Sequence, residues 1–297
     1  MKIAIIGANS FIARNLIFYI KQNHQDIELK LYDYQQSHAD GEQDYQQINI
    51  IDVNSLKTVD FDVDIIFVFA GQTGTLKGFE EYNNYIDINE KGLLNLLTEY
   101  KKQHSAAKII FPSSRLVYKG AEEPLKETAE KEFKTIYAIN KFACEQYLQM
   151  YNGMYDIPYT IFRICVPYGT MIPNASSYGT AEFMLNKAQT GQDITLYGTG
   201  EYRRTITHMA DLCAALFQGA CSDSCTNDIF NIGGEDYSLK EMAQQIAAQY
   251  GVKVSYVEWP QDALKIESGS TVFDSSKLDS KINFTYKHKF AETINGD

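Results

Sequence analysis

Ile3 to Ile6 is an unbroken apolar run that stops at Gly7, the pattern of a short strand buried on both faces. Between Phe11 and Lys21 the period changes. Phe11, Asn15 and Phe18, flanked by Ile12, Leu16 and Tyr19, draw two adjacent stripes at helical spacing. Leu29 to Tyr32 predicts a second strand ending at Asp33, which closes a βαβ unit. Further strands are expected at Gln47–Ile50, Ile65–Phe69, Lys108–Phe111, Tyr159–Cys165 and Ile229–Ile232, with helices at Ile86–Tyr100, Ile136–Met150 and Ala210–Ala220. Strands alternating with helices predict an α/β fold, a doubly wound parallel sheet covered on both faces. Ligands of such sheets sit beyond the carboxyl ends of the strands.

After Tyr168-Gly169 the pattern loosens. Thr170–Tyr178 is turn-rich, and short helical and strand-like pieces alternate with glycine turns up to Gly200. Ser238–Tyr250 then predicts an amphipathic helix opened by a serine able to cap it, and Val252–Val257 a strand.

Composition narrows the setting. The 297 residues, 44% hydrophobic and 22% charged, suffice for a full core. A net charge of −11 argues against non-specific binding to nucleic acid or an anionic membrane. An anionic ligand must therefore be held by local donors. The five cysteines are scattered, and the closest pair, Cys221 and Cys225, has no further ligand spaced to complete a zinc site. Reduced thiols and no metal are expected. Only four apolar residues precede Gly7, and the longest apolar run, Ile65–Ala70, is far below the ~18 residues of a membrane span. A soluble, cytoplasmic protein is expected.

The turn Gly7-Ala8-Asn9-Ser10-Phe11-Ile12-Ala13 joins the first strand to the first helix. Small residues there let a pyrophosphate approach the helix N-terminus, whose free N–H groups and dipole favour anions. Asp33 follows at a strand end, where a carboxylate accepts bonds from an adenosine ribose diol and repels a 2′-phosphate. No arginine or lysine occurs within Tyr34–His38, so NAD is favoured over NADP. A tight turn whose small residues merely let helix and strand pack is the plainer alternative.

Tyr137 and Lys141 lie four apart on a predicted helix, one turn above the other; of the 21 tyrosines only Tyr137 has a lysine at that offset. A fixed ammonium beside a phenol favours the phenolate, so this tyrosine can exchange a proton with a hydroxyl or carbonyl near neutral pH. The same two residues would also suit a solvated helix face.

Taken together, these stretches resemble the extended short-chain dehydrogenase/reductase family, the NAD-dependent nucleotide-sugar epimerases and dehydratases. The family's G-x-x-G-x-x-G is matched by Gly7, Ser10 and Ala13, its adenine-side Asp-Ile by Asn49-Ile50, and its small-residue turn beside the cofactor by Ala70-Gly71. Asn89, Gly92 and Asn95 resemble its N-x-x-G-x-x-N-L-L helix. Ser113 to Tyr118 is similar to S-S-x-x-V-Y-G, with Lys119 in place of the glycine, and Pro124–Glu127 to the P-x-x-E that follows. Arg163–Gly169 is similar to R-x-x-N-x-Y-G with Val166 at the asparagine. Tyr197–Gly200 with Arg204, His208 and Asp211 resembles Y-G-x-G…R-D-x-x-H-V-x-D, with Thr205 and Met209 as departures. Phe230–Gly234 and Asp274–Lys277 match later landmarks.

The resemblance implies a Rossmann domain of residues 1–168 with a return segment 204–233, and a substrate lobe of 169–203 and 234–297. It implies Ser114, Tyr137 and Lys141 as the catalytic trio. NAD would be held by Gly7, Asn9, Ser10, Phe11, Ile12, Asp33, Asn49, Ile50, Ala70, Gly71 and Ser113 with Tyr137 and Lys141. A nucleotide-diphosphate sugar would meet Ser114, Arg115, Tyr137, Val166, Tyr197 and Arg204. Arg204 suits the diphosphate because a guanidinium meets phosphate oxygens in a fork; an ion pair with a nearby carboxylate is its alternative. Tyr197 would flank the base or pack at a turn, Arg203 would face solvent, and His208 would be a structural hydrogen-bonding residue. Family dehydratases carry Asp-Glu after the catalytic hydroxyl, where this chain has Arg115-Leu116. The implied activity is therefore a 4-epimerase of nucleotide-sugar or surface-polysaccharide metabolism, ahead of a 4-keto-sugar reductase or dehydrogenase, with a non-catalytic NAD sensor behind both. A homodimer joined through Ile86–Tyr100 and Ile136–Met150 is also implied; Tyr147, Tyr151 and Tyr155, at four-residue spacing, would suit such a surface or equally the core.

Overall fold

The wholly apolar runs become the central strands, because a strand with a helix layer on each side has no face left for water. The computed structural model describes residues 1–173, 175 and 179–295; within the turn-rich stretch Thr170–Tyr178, positions 174 and 176–178 lie outside the described residues. The strands are β1 (Lys2–Ile6), β2 (Glu28–Asp33), β3 (Tyr45–Gln47), β4 (Ile65–Val68), β5 (Lys108–Ser114), β6 (Tyr159–Ile164), β7 (Val166–Tyr168), β8 (Ile194–Tyr197), β9 (Arg203–His208), β10 (Asp228–Asn231), β11 (Glu235–Ser238) and β12 (Val254–Val257). The helices are α1 (Phe11–Asn23), α2 (Val53–Leu56), α3 (Lys77–Glu80), α4 (Tyr82–Tyr85), α5 (Gly92–Lys102), α6 (Ile136–Tyr155), α7 (Thr180–Gln189), α8 (Met209–Cys221), α9 (Leu239–Tyr250), α10 (Gln261–Lys265), α11 (Ser276–Ile282) and α12 (Phe290–Asn295).

The main sheet has seven strands in the order β3-β2-β1-β4-β5-β6-β10, all parallel. The direction of winding reverses between β1 and β4, which opens a crevice at their carboxyl ends. Alternation along β1 divides the core. Ile3 and Ile5 face Leu16 and Ile20 of α1 and Leu212 and Leu216 of α8, whereas Ala4 and Ile6 face Leu93 and Leu97 of α5 and Leu148 of α6. A third cluster, with Met184 of α7, Ile206 of β9 and Met242 and Ile246 of α9, forms the smaller lobe around two short sheets, β11-β9-β7 and β12-β8.

Three expectations shift. The strand expected at Gln47–Ile50 is β3 at Tyr45–Gln47, and Ile48 and Ile50 are buried as loop residues under α5. The helix expected at Ile86–Tyr100 opens with a π-helical turn, Ile86–Lys91, before α5. The segment 204–233 divides, with β9 in the small sheet and α8 and β10 returning to the main one. Elsewhere, Ser238 caps α9 in a box with Glu241.

Helix α6 lies alongside the site, and it is fixed at its N-terminus and in the middle. Thr135 caps its N-terminus by accepting from the Ala138 N–H at 3.1 Å. Buried Glu145 takes two bonds from Arg163 of β6, at 2.9 and 2.6 Å, and the same guanidinium donates to the Tyr118 hydroxyl at 2.7 Å. Burial works against that charge, but Glu145 and Tyr118 outweigh it and raise the Arg163 pKa.

Candidate active site

The first glycine of the β1–α1 turn is required by space as well as by conformation. Gly7 has φ +88, and a Cβ there would lie 2.2 Å from the backbone nitrogen of Ala70 at the end of β4. Its N–H donates to the Tyr32 carbonyl at 2.7 Å, drawing the turn against β2. Ser10, at the position of the motif's second glycine, caps α1 by accepting from the Ala13 N–H at 3.4 Å. At the end of β2 the buried Asp33 carboxylate accepts from the Asn9 N–H at 2.9 Å and the Tyr34 N–H at 2.7 Å. The Asn9 side chain is turned outward and clipped to the following loop, donating to the Ser37 carbonyl and accepting from the Ala39 N–H.

A cavity of about 500 Å³ opens at this point. Gly7, Asn9, Ser10, Asp33, Asn49, Ile50, Ala70 and Gly71 all line it. Phe11 and Ile12 are not among its walls; they lie in the first turn of α1 and pack against the core. Tyr34, Gln35 and Gln72 are lining residues that no motif had marked. The loop carrying Gln72 is tied down by buried Asn89, which accepts from the Gln72 N–H at 2.7 Å and donates to Asn140 of α6 at 3.3 Å.

One strand further along the sheet, β5 ends in Ser113 and Ser114, both buried. The Ser113 hydroxyl has no partner among the described residues. Ser114 accepts from the Leu116 N–H at 3.2 Å, which opens a single 3₁₀ turn, Arg115–Val117. Tyr137 is in the first turn of α6, with Lys141 one turn on. The Lys141 ammonium is buried, donates to the Pro112 carbonyl at 2.7 Å, and lies 4.5 Å from the Phe111 ring centroid and 5.8 Å from that of Tyr137. Burial pushes its pKa down to about 8. Gly7, Ala70, Ser113 and Ser114 thus stand at the ends of three neighbouring strands, with α6 alongside.

Of the remaining residues expected at a substrate, Arg115 follows β5 of the main sheet and the others lie around the small sheets. Val166 is buried in the apolar cluster of the smaller lobe. Tyr197 is exposed at the end of β8, its ring 5.4 Å from Trp259. Arg204 is buried and paired with Glu267 at 2.6 Å, and it also donates to the carbonyls of Arg203 and Gly269. Arg203, more exposed, pairs with Asp236 and Glu241. Arg115 is half-buried and donates to Ser268 at 3.3 Å. Glu267 and Ser268, which gather both arginines, carried no sequence signal, since 153 positions separate Arg115 from Ser268. His208 caps α8 by accepting from the Ala210 N–H and stacks on His288 at 4.4 Å; burial pushes its pKa down to about 4.

The family model for the NAD dependent epimerase/dehydratase family matches residues 3–233. The chain belongs to that family. A putative UDP-glucose 4-epimerase of Methanocaldococcus jannaschii is 24% identical over 257 residues, covering 84% of this chain and 83% of the relative. A UDP-glucuronate 4-epimerase of Thermodesulfobacterium geofontis is 22% identical over 267 residues, covering 87% and 79%. Among solved structures, the Thermus thermophilus UDP-glucose 4-epimerase in complex with NAD superposes with a TM-score of 0.84 at 20% identity, over 99% of this chain and 97% of that one. The Thermotoga maritima UDP-glucose 4-epimerase, solved with UDP-glucose, gives a TM-score of 0.84 at 21% identity, over 99% and 96%.

As a member of this family the chain is an NAD-dependent enzyme of the extended short-chain dehydrogenase type. The residues present fit that cofactor. Gly7 lets its turn pack directly on the Phe69–Ala70 backbone that lines the same cavity, Asp33 offers a carboxylate at the cavity wall, and Ser113 holds a buried hydroxyl with no partner among the described residues. Among the described residues no helix is long and apolar enough to cross a membrane.

Proposed function

We propose that this enzyme is a nucleotide-sugar 4-epimerase, acting in the cytoplasm as a homodimer and passing through a keto-sugar. The observation that carries the reading is the bond from the Lys141 ammonium, one turn after Tyr137 on α6, to the Pro112 carbonyl of β5, two residues before Ser114 and one strand from the cavity that fits NAD. The names of the relatives above support the sugar nucleotide as substrate class. Bound NAD supplies the hydride acceptor and donor. Tyr137 takes the proton from the sugar hydroxyl and returns it to the carbonyl oxygen. Ser114 holds that oxygen within the ~2.6–3.2 Å that proton transfer needs. The Lys141 ammonium, kept in place by the Pro112 carbonyl, favours the phenolate form in which Tyr137 accepts that proton and to which it reverts on giving the proton back. Arg204 would meet the diphosphate by exchanging Glu267 for phosphate oxygens.

UDP-, dTDP-, GDP- and CDP-sugars incubated with the holoenzyme should reveal one whose C4 configuration inverts by NMR. Tyr137→Phe should lower kcat by about 10²–10⁴-fold while NAD affinity stays near wild type. Full activity in that variant would remove Tyr137 as the base. Cofactor that leaves with each turnover, rather than staying bound, would make the enzyme a keto-sugar reductase instead.

A further inference from the structure

The loop that follows Asp33 is exposed from Tyr34 to Asp40 except at one residue. His38 is 5% exposed, its ring set edge-on to that of Tyr45 at 5.8 Å. A buried imidazole needs partners at both nitrogens, and here both are backbone groups. The Asp40 N–H donates to Nδ1 at 3.2 Å, so Nδ1 is the acceptor and Nε2 carries the hydrogen. Nε2 in turn donates to the Ala8 carbonyl at 3.3 Å, across to the β1–α1 turn.

That carbonyl is half of a peptide group whose other half reaches the cavity wall. The Asn9 N–H of the same peptide donates to Asp33 Oδ2 at 2.9 Å. His38, the Ala8–Asn9 peptide and Asp33 thus form one hydrogen-bonded chain, in which each bond polarises the next. The Asn9 side chain adds a second tie, donating to the Ser37 carbonyl at 3.0 Å and accepting from the Ala39 N–H at 2.7 Å. The Arg14–Asp40 pair lies on the same side, but a partly exposed ion pair contributes little. Tyr34 and Gln35, at the start of the loop, are cavity walls, whereas His38 is not among them.

We propose that His38 is a positioning residue for the cofactor. Through the Ala8–Asn9 peptide it fixes the Asp33 carboxylate, and with Asn9 it seats the wall at Tyr34–Gln35. The preference for NAD over NADP then depends on a side chain outside the cavity. The inference rests on the reading of Asp33 as the acid that meets the adenosine ribose diol. A carboxylate held through both oxygens, by the Asn9 and Tyr34 N–H groups, cannot swing aside to admit a 2′-phosphate; one released from its Asn9 bond can.

The test measures NAD, NADP and ADP-ribose binding by calorimetry on the full chain freed of bound cofactor. His38→Leu removes both ring bonds. It should weaken NAD and ADP-ribose by the same factor, about 3–10-fold, the range of one net hydrogen bond, and lower the NAD-over-NADP ratio by about as much. His38→Gln, whose amide N–H can still reach the Ala8 carbonyl, should recover most of that ratio. Asn9→Ala should shift it in the same direction as His38→Leu. Thermal melting checks that each variant folds; if His38→Leu does not, His38→Asn, too short to reach Ala8, takes its place with the same expectation. Asp33→Asn is the control and should collapse the ratio. An unchanged ratio in the His38 variants beside a collapsed one in Asp33→Asn would overturn the role of His38 alone. So would NAD and NADP weakened equally, with no recovery in His38→Gln, since the histidine would then serve only the fold of the loop. An unchanged ratio in Asp33→Asn would overturn the ribose reading of Asp33 and this inference with it.

Discussion

Lys141 is a buried ammonium whose cost in stability and proposed role in catalysis can be separated. Its folded-state pKa of about 8 lies below the value of about 10.4 it has in an unfolded chain. Burying the ammonium therefore costs stability below pH 8, and that cost fades as pH rises from 8 toward 10.4. The proposed mechanism uses the charged form, so turnover should fall as pH rises through about 8. Lys141→Met should abolish turnover yet raise stability at pH 7 by about 1–2 kcal/mol. A pH–rate profile flat from 7 to 9.5, or a variant that melts below wild type at pH 7, would contradict this. The spacing of Tyr137 and Lys141 was legible because a helix's geometry is local. The Pro112 carbonyl that holds the ammonium was not, since the fold alone brings it there. Arg204 makes the same point: its charge suggested an anion, but its present partner, Glu267, comes from 63 positions away.

At the scale of elements, α6 is held to β6 by a desolvated charge pair with both members fully enclosed. Removing one member leaves the other unpaired in the interior, so Glu145→Ala should cost about 3–5 kcal/mol. A double-mutant cycle with Arg163→Met should show a coupling of about 2–3 kcal/mol; a coupling near zero in denaturant unfolding would show that Tyr118 and the backbone fix the arginine without Glu145. The elements that sequence revealed were those whose period declares both faces. β4 is apolar throughout, β1 is apolar from Ile3 onward, β6 is buried along its whole length, and α1 carries two adjacent apolar stripes. Ile48 and Ile50 mimic a strand because both are buried, yet they are buried by packing; Ile50 lies so close to α5 that a Cβ at Gly92 would come within 2.9 Å of it. The pairing of β7, β9 and β11 joins distant segments, and no local pattern encodes it.

For the whole molecule, α6 turns an apolar stripe outward. Met150 is 58% and Met154 70% exposed, and Ile139, about three turns before Met150, shares that side. Tyr147 and Tyr151 are less available, the first bonded to Glu90 and the second packed on the core, while Tyr155 lies beneath the Lys101 ammonium. The proposed homodimer would cover the exposed side chains. Light scattering should give twice the 33.7 kDa chain mass, and Ile139→Arg should lower it to one chain; a wild-type protein of single-chain mass at micromolar concentration would exclude the dimer.

The mechanism itself is tested most directly by inverting the sugar in D₂O and recording the NMR signal of the hydrogen on the inverted carbon. Hydride transfer within the closed complex, with Tyr137 moving only the hydroxyl proton, predicts that this carbon keeps its original hydrogen through many turnovers. Deuterium appearing there at the rate of inversion would mean that the C–H proton is removed and replaced by solvent, and Tyr137, Lys141 and Ser114 would need different roles.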